Sequence, residues 1–371
     1  MIKEIRLKNF KCFQNVEVPL SNLNLLSGIN SMGKSTIIQA ILLLRQAFEK
    51  GSLKDGIYLN GEYVQIGTGI DLLYFNADGD IEIVIKDENG QEYSWVLEYI
   101  RDSDYLKLKN EVTLGNNNEI KSQLNFLNSN FEYITAERFG PRKSYEKSAY
   151  DVLVKNHVGM YGEHAVYYLE KHGGDVLENQ MVILGKGNTL KHQTEQWMNE
   201  ISPGIQFDFN DVQTADIVSL KVRQTETAAT MGTIMEYKPV NVGFGISYCL
   251  PIILALLKAK KDDLIILENP EAHLHPQGQR KVGELIARAA QGGAQIIVET
   301  HSDHILNGIR LAVKQQQIEK EKVKLYYFCT EMKNDIMVHT YEAPVIDDKG
   351  RLNIWPKGFF DEWDNTLLEL L

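Results

Sequence analysis

Apolar and polar residues alternate along IKEIRLKNF and FQNVEVPL, then close up into the continuous run LNLLSG, all within residues 2 to 28. Period-two alternation predicts two half-buried strands, and the continuous run predicts a third that is fully buried. Over residues 34 to 49 the pattern changes to an apolar stripe of helical period. From about 57 to 135, short alternating segments (VQIG, DIEIVIKD, QEYSWVLEYI, FEYITA) are separated by turn clusters such as DENG and LGNNNE, so this stretch is expected to be β-rich. EHAVYYLEKH and LKHQTEQWMNEI predict helices, which makes the middle of the chain mixed rather than a pure sheet. After residue 240 helices and strands take turns: GISYCLPIILALLKAK, LIILE, PQGQRKVGELIARAA, QIIVET, SDHILNGIRLAVKQ and KLYYFC. Such alternation builds a parallel sheet with helices on its faces, an α/β fold. No heptad run is long enough for a coiled coil, and no internal repeat is found.

The junction between the third strand and the first helix carries the clearest chemistry. Residues 27 to 36 read SGINSMGKST, and from Gly28 the spacing is G-x-x-x-x-G-K-S, with the strand before and the helix after that a phosphate-binding loop requires. Gly28, Asn30, Ser31 and Gly33 turn successive N–H groups into one concavity, to which the helix adds its positive end. Lys34, expected at a solvent-facing loop end, reaches the β- and γ-phosphates of ATP; the Ser35 hydroxyl ligates Mg²⁺, and Thr36 lines the same wall.

Two polar clusters follow at the ends of later strands. LIILE runs into Glu268-Asn269-Pro270-Glu271, and QIIVE into Thr300-His301-Ser302-Asp303. Open α/β sheets bind ligands at this edge, so Glu268 is the expected Mg²⁺ ligand and His301 a contact for the γ-phosphate. The alternative for Glu268 is an acidic cap for the helix after Pro276. Upstream, Asn241 to Ser247 (NVGFGIS) opens a helix, and Gly243, Gly245 and Ser247 present a helix N-terminus suited to a phosphate; a plain glycine turn starting a core helix is the other reading.

Phosphate loop, long insertion, LENPEAHLHP and ETHSDHIL, in that order, resemble the ABC-type ATPases of the SMC, RecF and OLD group, and bacterial OLD-like AAA ATPases in particular. The resemblance implies that Glu268 closes a Walker B strand, that His273 to Pro276 form the D-loop and that His301 is the switch histidine. It also implies that Gly243, Gly245 and Ser247 form a signature that completes the site of a second copy, giving a head-to-tail homodimer or a higher homo-oligomer. TAERFGPR resembles a recurring stretch in these ATPases, with Arg138 and Arg142 as phosphate or interdomain contacts or else a surface pair. The terminal WPKGFFDEWDNTLLELL resembles a small domain of unknown function, expected to dock Phe359, Phe360 and Trp363 on the core. The chain is accordingly divided into residues 1–56 (first part of the ATPase head), 57–240 (insertion), 241–342 (second part of the head) and 343–371 (tail).

The sequence departs from that family pattern in two respects. Asn269 stands where most ABC ATPases carry the general-base glutamate, and an amide cannot take a proton; loss of a positioned base costs about 10²–10⁴-fold in rate. Glu271 is the favoured substitute, with Glu268 serving metal and water together as the other option. A slowly hydrolysing, nucleotide-gated scaffold is therefore the rival reading. The OLD nucleases add a Toprim domain of clustered carboxylates, whereas here 70 residues follow His301 and Asp347-Asp348 lacks a preceding buried strand. Any cutting is thus expected from an effector, a nuclease or a toxin, and the family resemblance implies a role in anti-phage defence or DNA-damage handling.

Composition narrows the picture further. A net charge of −11 gives no bulk basic field, so nucleic acid stays a possible partner that charge does not support. The three cysteines, Cys12, Cys249 and Cys329, are far apart and form no C-x-x-C pair, which fits a reducing cytoplasm. MIKEIRLKNF is too charged for a signal peptide, and no apolar run reaches the roughly 18 residues of a membrane span. His273, His275, His301 and His304 show zinc-like spacings, but each pair falls inside an ATPase motif. KAKK at 258 to 261 reads as a solvated helix end.

Overall fold

A computed structural model describes residues 1–77, 79–110, 127, 130–225, 234–237, 244–333, 335–360, 366–367 and 369–370. The three expected N-terminal strands are Ile2–Phe10, Phe13–Pro19 and Leu23–Gly28. The chain divides into two compact units, one made of Met1–Asn128, Lys324–Val345 and Asn353–Leu371, the other of Ser129–Val323 and Ile346–Leu352.

In the first unit the strands run in the order Phe13–Pro19, Ile2–Phe10, Ile81–Asp87, Glu92–Leu97, all antiparallel. Period-two alternation buries Ile5 and Leu7 and leaves Lys8 outside, while a register shift between Ile2 and Glu4 leaves Lys3 exposed. The DENG turn between the last two strands is closed by the Asp87 carboxylate, which accepts from the backbone of Asn89 and Gln91, each at 2.9 Å. The strand Leu23–Gly28 lies beside Val323–Lys333, which pairs antiparallel with Ile336–Glu342. Helix Lys34–Glu49 buries almost its whole apolar run, Ile37 to Leu44. VQIG, expected as a strand, contributes only an isolated bridge from Gln65 to Asn60. Phe359 is fully buried, edge-on to Tyr327 at 5.6 Å, while Trp363 lies outside the described residues.

In the second unit three parallel strands stand in the order Gln295–Glu299, Leu264–Glu268, Phe131–Ile134. Their continuous apolar runs match burial on both faces. Helices Phe244–Leu257, Pro276–Gln291 and Asp303–Lys314 follow the expected order. Pro276–Gln291 and Asp303–Lys314 approach backbone to backbone at Gly283 and Gly308, where a Cβ on Gly308 would lie 2.2 Å from the Arg280 carbonyl oxygen. The same unit adds helices Ala165–His172 and Leu190–Ile201 and an antiparallel sheet of Ile205–Val212, Ile217–Thr225 and Ile234–Tyr237.

The KAKK reading needs correction at its first residue. Lys258 is 11% exposed and its ammonium is held by the Glu132 carboxylate and the Asn156 carbonyl, because the buried Glu132 on the strand Phe131–Ile134 requires a counter-charge. Among the described residues no helix is long and apolar enough to cross a membrane.

Candidate functional site

Sterics fix the phosphate loop, in the first unit. Gly28 has φ +136°, and a Cβ there would lie 2.4 Å from the Phe328 carbonyl oxygen; Gly33 has φ +106°, and its Cβ would strike the Phe13 ring at 2.4 Å and Cys12 Sγ at 2.9 Å. Only glycine meets both demands. Asn30 and Ser31 are exposed at the turn, with Ser31 itself left-handed at φ 66°. Gly33 provides no side-chain cap for the helix it starts, so the first-turn N–H groups form the anion-favouring end of Lys34–Glu49.

Lys34 is 4% exposed rather than solvent-facing, and its ammonium donates to the carbonyls of Gly28 at 2.9 Å and Ile29 at 3.0 Å. A buried ammonium needs such acceptors. Ser35 is exposed on the first turn, and Thr36 is buried with Cys12 Sγ 3.6 Å from its hydroxyl.

Side chains fix the acidic turn, in the second unit. The Glu268 carboxylate accepts from the Tyr133 hydroxyl at 3.0 Å, the Ala136 N–H at 3.2 Å and the Thr135 hydroxyl at 3.3 Å. Burial and the negative charge of Glu268 push the Tyr133 hydroxyl above its ordinary pKa, which keeps it a donor. Arg138, 4% exposed, donates to the carbonyls of Glu268 and Asn269, each at 2.7 Å, and of Thr135 at 2.8 Å. It is therefore not one of a surface pair. Arg142 lies flat over the Phe139 ring, 3.3 Å from its centroid. Asn269 has φ 44°, a left-handed conformation that asparagine tolerates better than glutamate.

Glu271 accepts from the Thr300 hydroxyl at 2.7 Å and from the His301 N–H at 2.9 Å, so its carboxylate ties the acidic turn to the end of the next strand. The His301 side chain is exposed. Glu268 caps no helix: the cap of Pro276–Gln291 is His275, which accepts from the Gln277 N–H at 3.4 Å.

Of the expected signature residues, Gly243 lies outside the described residues. Gly245 packs tightly on the His273 segment, where a Cβ would lie 2.9 Å from the His273 carbonyl oxygen. Ser247 is 9% exposed and hydrogen-bonds Tyr145 within its own chain. Next to it, the Tyr248 ring packs 4.4 Å from His273 and lies 5.7 Å from the Arg138 guanidinium. Among the described residues no group of three or more His, Cys, Asp or Glu side chains is gathered as for a metal ion.

The acidic turn is supported by Tyr133, Thr135 and Thr300, which the motif reading does not single out. Thr135 and Thr300 each sit just past the end of a parallel strand, and that position was the available signal. Ser35 and Glu268 are hard oxygen donors, the chemistry that suits Mg²⁺.

Residues 23–307 match the family described as "AAA domain, putative AbiEii toxin, Type IV TA system", and residues 318–370 match a protein family of unknown function, DUF3696. An "ATP/GTP phosphatase" of Helicobacter pylori is 21% identical over 369 residues, covering 91% of this chain and 94% of that protein. An "OLD nuclease" of Thermus scotoductus is 22% identical over 334 residues, covering 81% of this chain but only 59% of the nuclease. A solved Smc head bound to the C-winged helix domain of ScpA aligns with a TM-score of 0.47 at 13% identity, covering 92% of this chain and 98% of that one.

Proposed function

The chain belongs to the AbiEii-like AAA domain family matched over residues 23–307, and from that premise we propose that it is an ABC-type ATPase that binds Mg·ATP and hydrolyses it. The observation that carries this reading is the phosphate loop, in which two obligatory glycines and the buried Lys34 create a cationic, N–H-lined concavity. In this reading Lys34 neutralises the β- and γ-phosphates, and the loop N–H groups and the helix end hold their oxygens. Ser35 and Glu268 would each offer Mg²⁺ an oxygen ligand, and the metal would offset phosphate charge. Glu271 orients the attacking water with a lone pair left over from its bonds to Thr300 and His301, and His301 faces the γ-phosphate. The relative named as an ATP/GTP phosphatase supports hydrolysis as the chemistry.

The finer reading has the active form as a head-to-tail homodimer in which Gly243 and Gly245 of one copy approach the nucleotide of the other. Since Ser247 is turned into its own chain, the glycines and their helix end carry that contact. The division into two ATPase halves around an insertion, with a tail matching a family of unknown function, fits an output delivered through an effector, a nuclease or a toxin, in phage defence or DNA-damage handling.

Asn269 favours a second reading. An amide in the usual base position, held in a left-handed conformation suited to asparagine, fits a scaffold that binds ATP and turns it over rarely. Sedimentation velocity with and without Mg·ATP, paired with steady-state turnover, tests both readings. The ATPase reading expects an ATP-dependent dimer and sustained phosphate release; a dimer with no release supports the scaffold, and a chain that neither dimerises nor hydrolyses overturns both.

A further inference from the structure

We propose that Arg138 is a positioning residue for hydrolysis: a buried guanidinium that sets the backbone of the acidic turn and the donors around Glu268 without touching the nucleotide. The proposal rests on the ATPase reading. Two guanidinium nitrogens are spent on three carbonyl oxygens, those of Thr135, Glu268 and Asn269, all at 2.7–2.8 Å. The remaining nitrogen, Nε, is buried and has no hydrogen-bond partner among the described residues. At 4% exposure, with its planar fork spent on the protein backbone, this arginine has little left for a phosphate.

Its three acceptors show what it controls. The Glu268 and Asn269 carbonyls flank the left-handed Asn269, so the fork fixes the peptide planes on both sides of the residue that redirects the chain toward Glu271. The Thr135 carbonyl lies between the groups that hold the Glu268 carboxylate, namely the Tyr133 and Thr135 hydroxyls and the Ala136 N–H. One cation thereby orders both the backbone and the carboxylate of the turn. Burial opposes the charge of this guanidinium, and besides the carbonyls the Glu271 and Glu268 carboxylates offset that cost, so its charge is tied to the acidic turn it braces. On its far side Tyr248 lies 5.7 Å from the guanidinium and packs on His273 at 4.4 Å, so the helix Phe244–Leu257 supports the same brace.

The test uses Arg138→Lys, which keeps the charge but cannot fork, and Arg138→Ala, assayed for nucleotide Kd and for single-turnover hydrolysis. The expected result is a Kd within about threefold of the parent and a hydrolysis rate at least about 30-fold lower, consistent with lost positioning rather than lost binding. Methylguanidine, but not an alkylammonium of similar size, should restore part of the rate of Arg138→Ala; a purely structural role predicts no such selectivity. Should Arg138→Ala fail to fold, Arg138→Lys and Tyr248→Leu decide, each expected to lower the rate at unchanged Kd. Parent-like rates in these variants, or a Kd that worsens in step with the rate, overturn the proposal while leaving the ATPase reading intact. A parent protein that does not hydrolyse ATP overturns that reading and the proposal with it.

Discussion

Gly28 and Gly33 hold the phosphate loop by exclusion, since a side chain on either would strike Phe328 or Phe13, whereas the acidic turn around Glu268 is held by bonds from Tyr133, Thr135, Ala136 and Arg138. Exclusion shows in the sequence as two glycines at a fixed spacing, although the Phe328 carbonyl that enforces it at Gly28 lies far along the chain, and it leaves little latitude: the loop forms only with glycine at both positions. Bonding is encoded at a distance, because the groups that hold Glu268 come from 130 or more residues earlier in the chain. The loop should therefore fail abruptly when altered, and the turn should fail by degrees.

Gly33→Ala is the most damaging way to break the first half of that comparison. A methyl at φ +106° is strained and meets the Phe13 ring at 2.4 Å, so the loop must move as a whole. Nucleotide affinity should fall by about 100-fold or more, a loss of roughly 3 kcal/mol, measured with a fluorescent ATP analogue; affinity within threefold of the parent would deny the steric account.

Glu271→Gln tests the turn at its most consequential carboxylate. The amide removes basicity and turns one of two acceptors into a donor facing Thr300 or His301. Single-turnover hydrolysis should drop by about 10²-fold while binding persists. Thr300→Val separates the two causes: it removes one of the bonds to Glu271 but no basicity, so it should cost only several-fold if Glu271 is the base. If it matches Glu271→Gln, Glu271 works by holding the Thr300-His301 segment. The reverse change, Asn269→Glu, should raise the rate by less than the usual value of a base, because glutamate is strained at φ 44°.

Tyr133→Phe sharpens the expectation of failure by degrees. It removes one of three donors to Glu268 and leaves the ring packed, so hydrolysis should fall a few-fold and stability by about 1 kcal/mol. A 100-fold loss would mean that the turn is as brittle as the loop.

The smallest effect belongs to the opposite end of the same strand. Burial pushes the Asp263 carboxyl up from 3.8 to about 6, so the folded state binds its proton more tightly than the unfolded state does. The stability this contributes is present below the unfolded value and is lost as pH rises through about 6. Asp263→Asn should flatten that loss, by an amount on the order of 1 kcal/mol, in urea midpoints compared at pH 4.5 and 7.5. Hydrolysis should be unaffected.

Legibility from sequence follows the same division. The N-terminal strands, the helix after the phosphate loop and the alternating helices and strands after 240 were readable because burial imposes its period directly on neighbouring residues. The hairpin Ile205–Val212 with Ile217–Thr225 was not, since polar residues such as Asp208, Asn210 and Asp211 interrupt its apolar pattern. Glu268, Glu271 and His301 stood out by motif position. The burial of Lys34 and Arg138, the capture of Lys258 by Glu132 and the inward turn of Ser247 did not, because each depends on a partner brought in by tertiary structure.

The central claim is that the loop at Lys34 binds ATP and the turn at Glu268 hydrolyses it. Its most direct test is a paired measurement of nucleotide Kd and single-turnover hydrolysis with Mg²⁺ in Lys34→Ala and Glu268→Gln. The account predicts that Lys34→Ala nearly abolishes binding, and that Glu268→Gln keeps Kd within several-fold while hydrolysis falls by about 10²-fold or more. Parent-like binding by Lys34→Ala, or parent-like hydrolysis by Glu268→Gln, would contradict it.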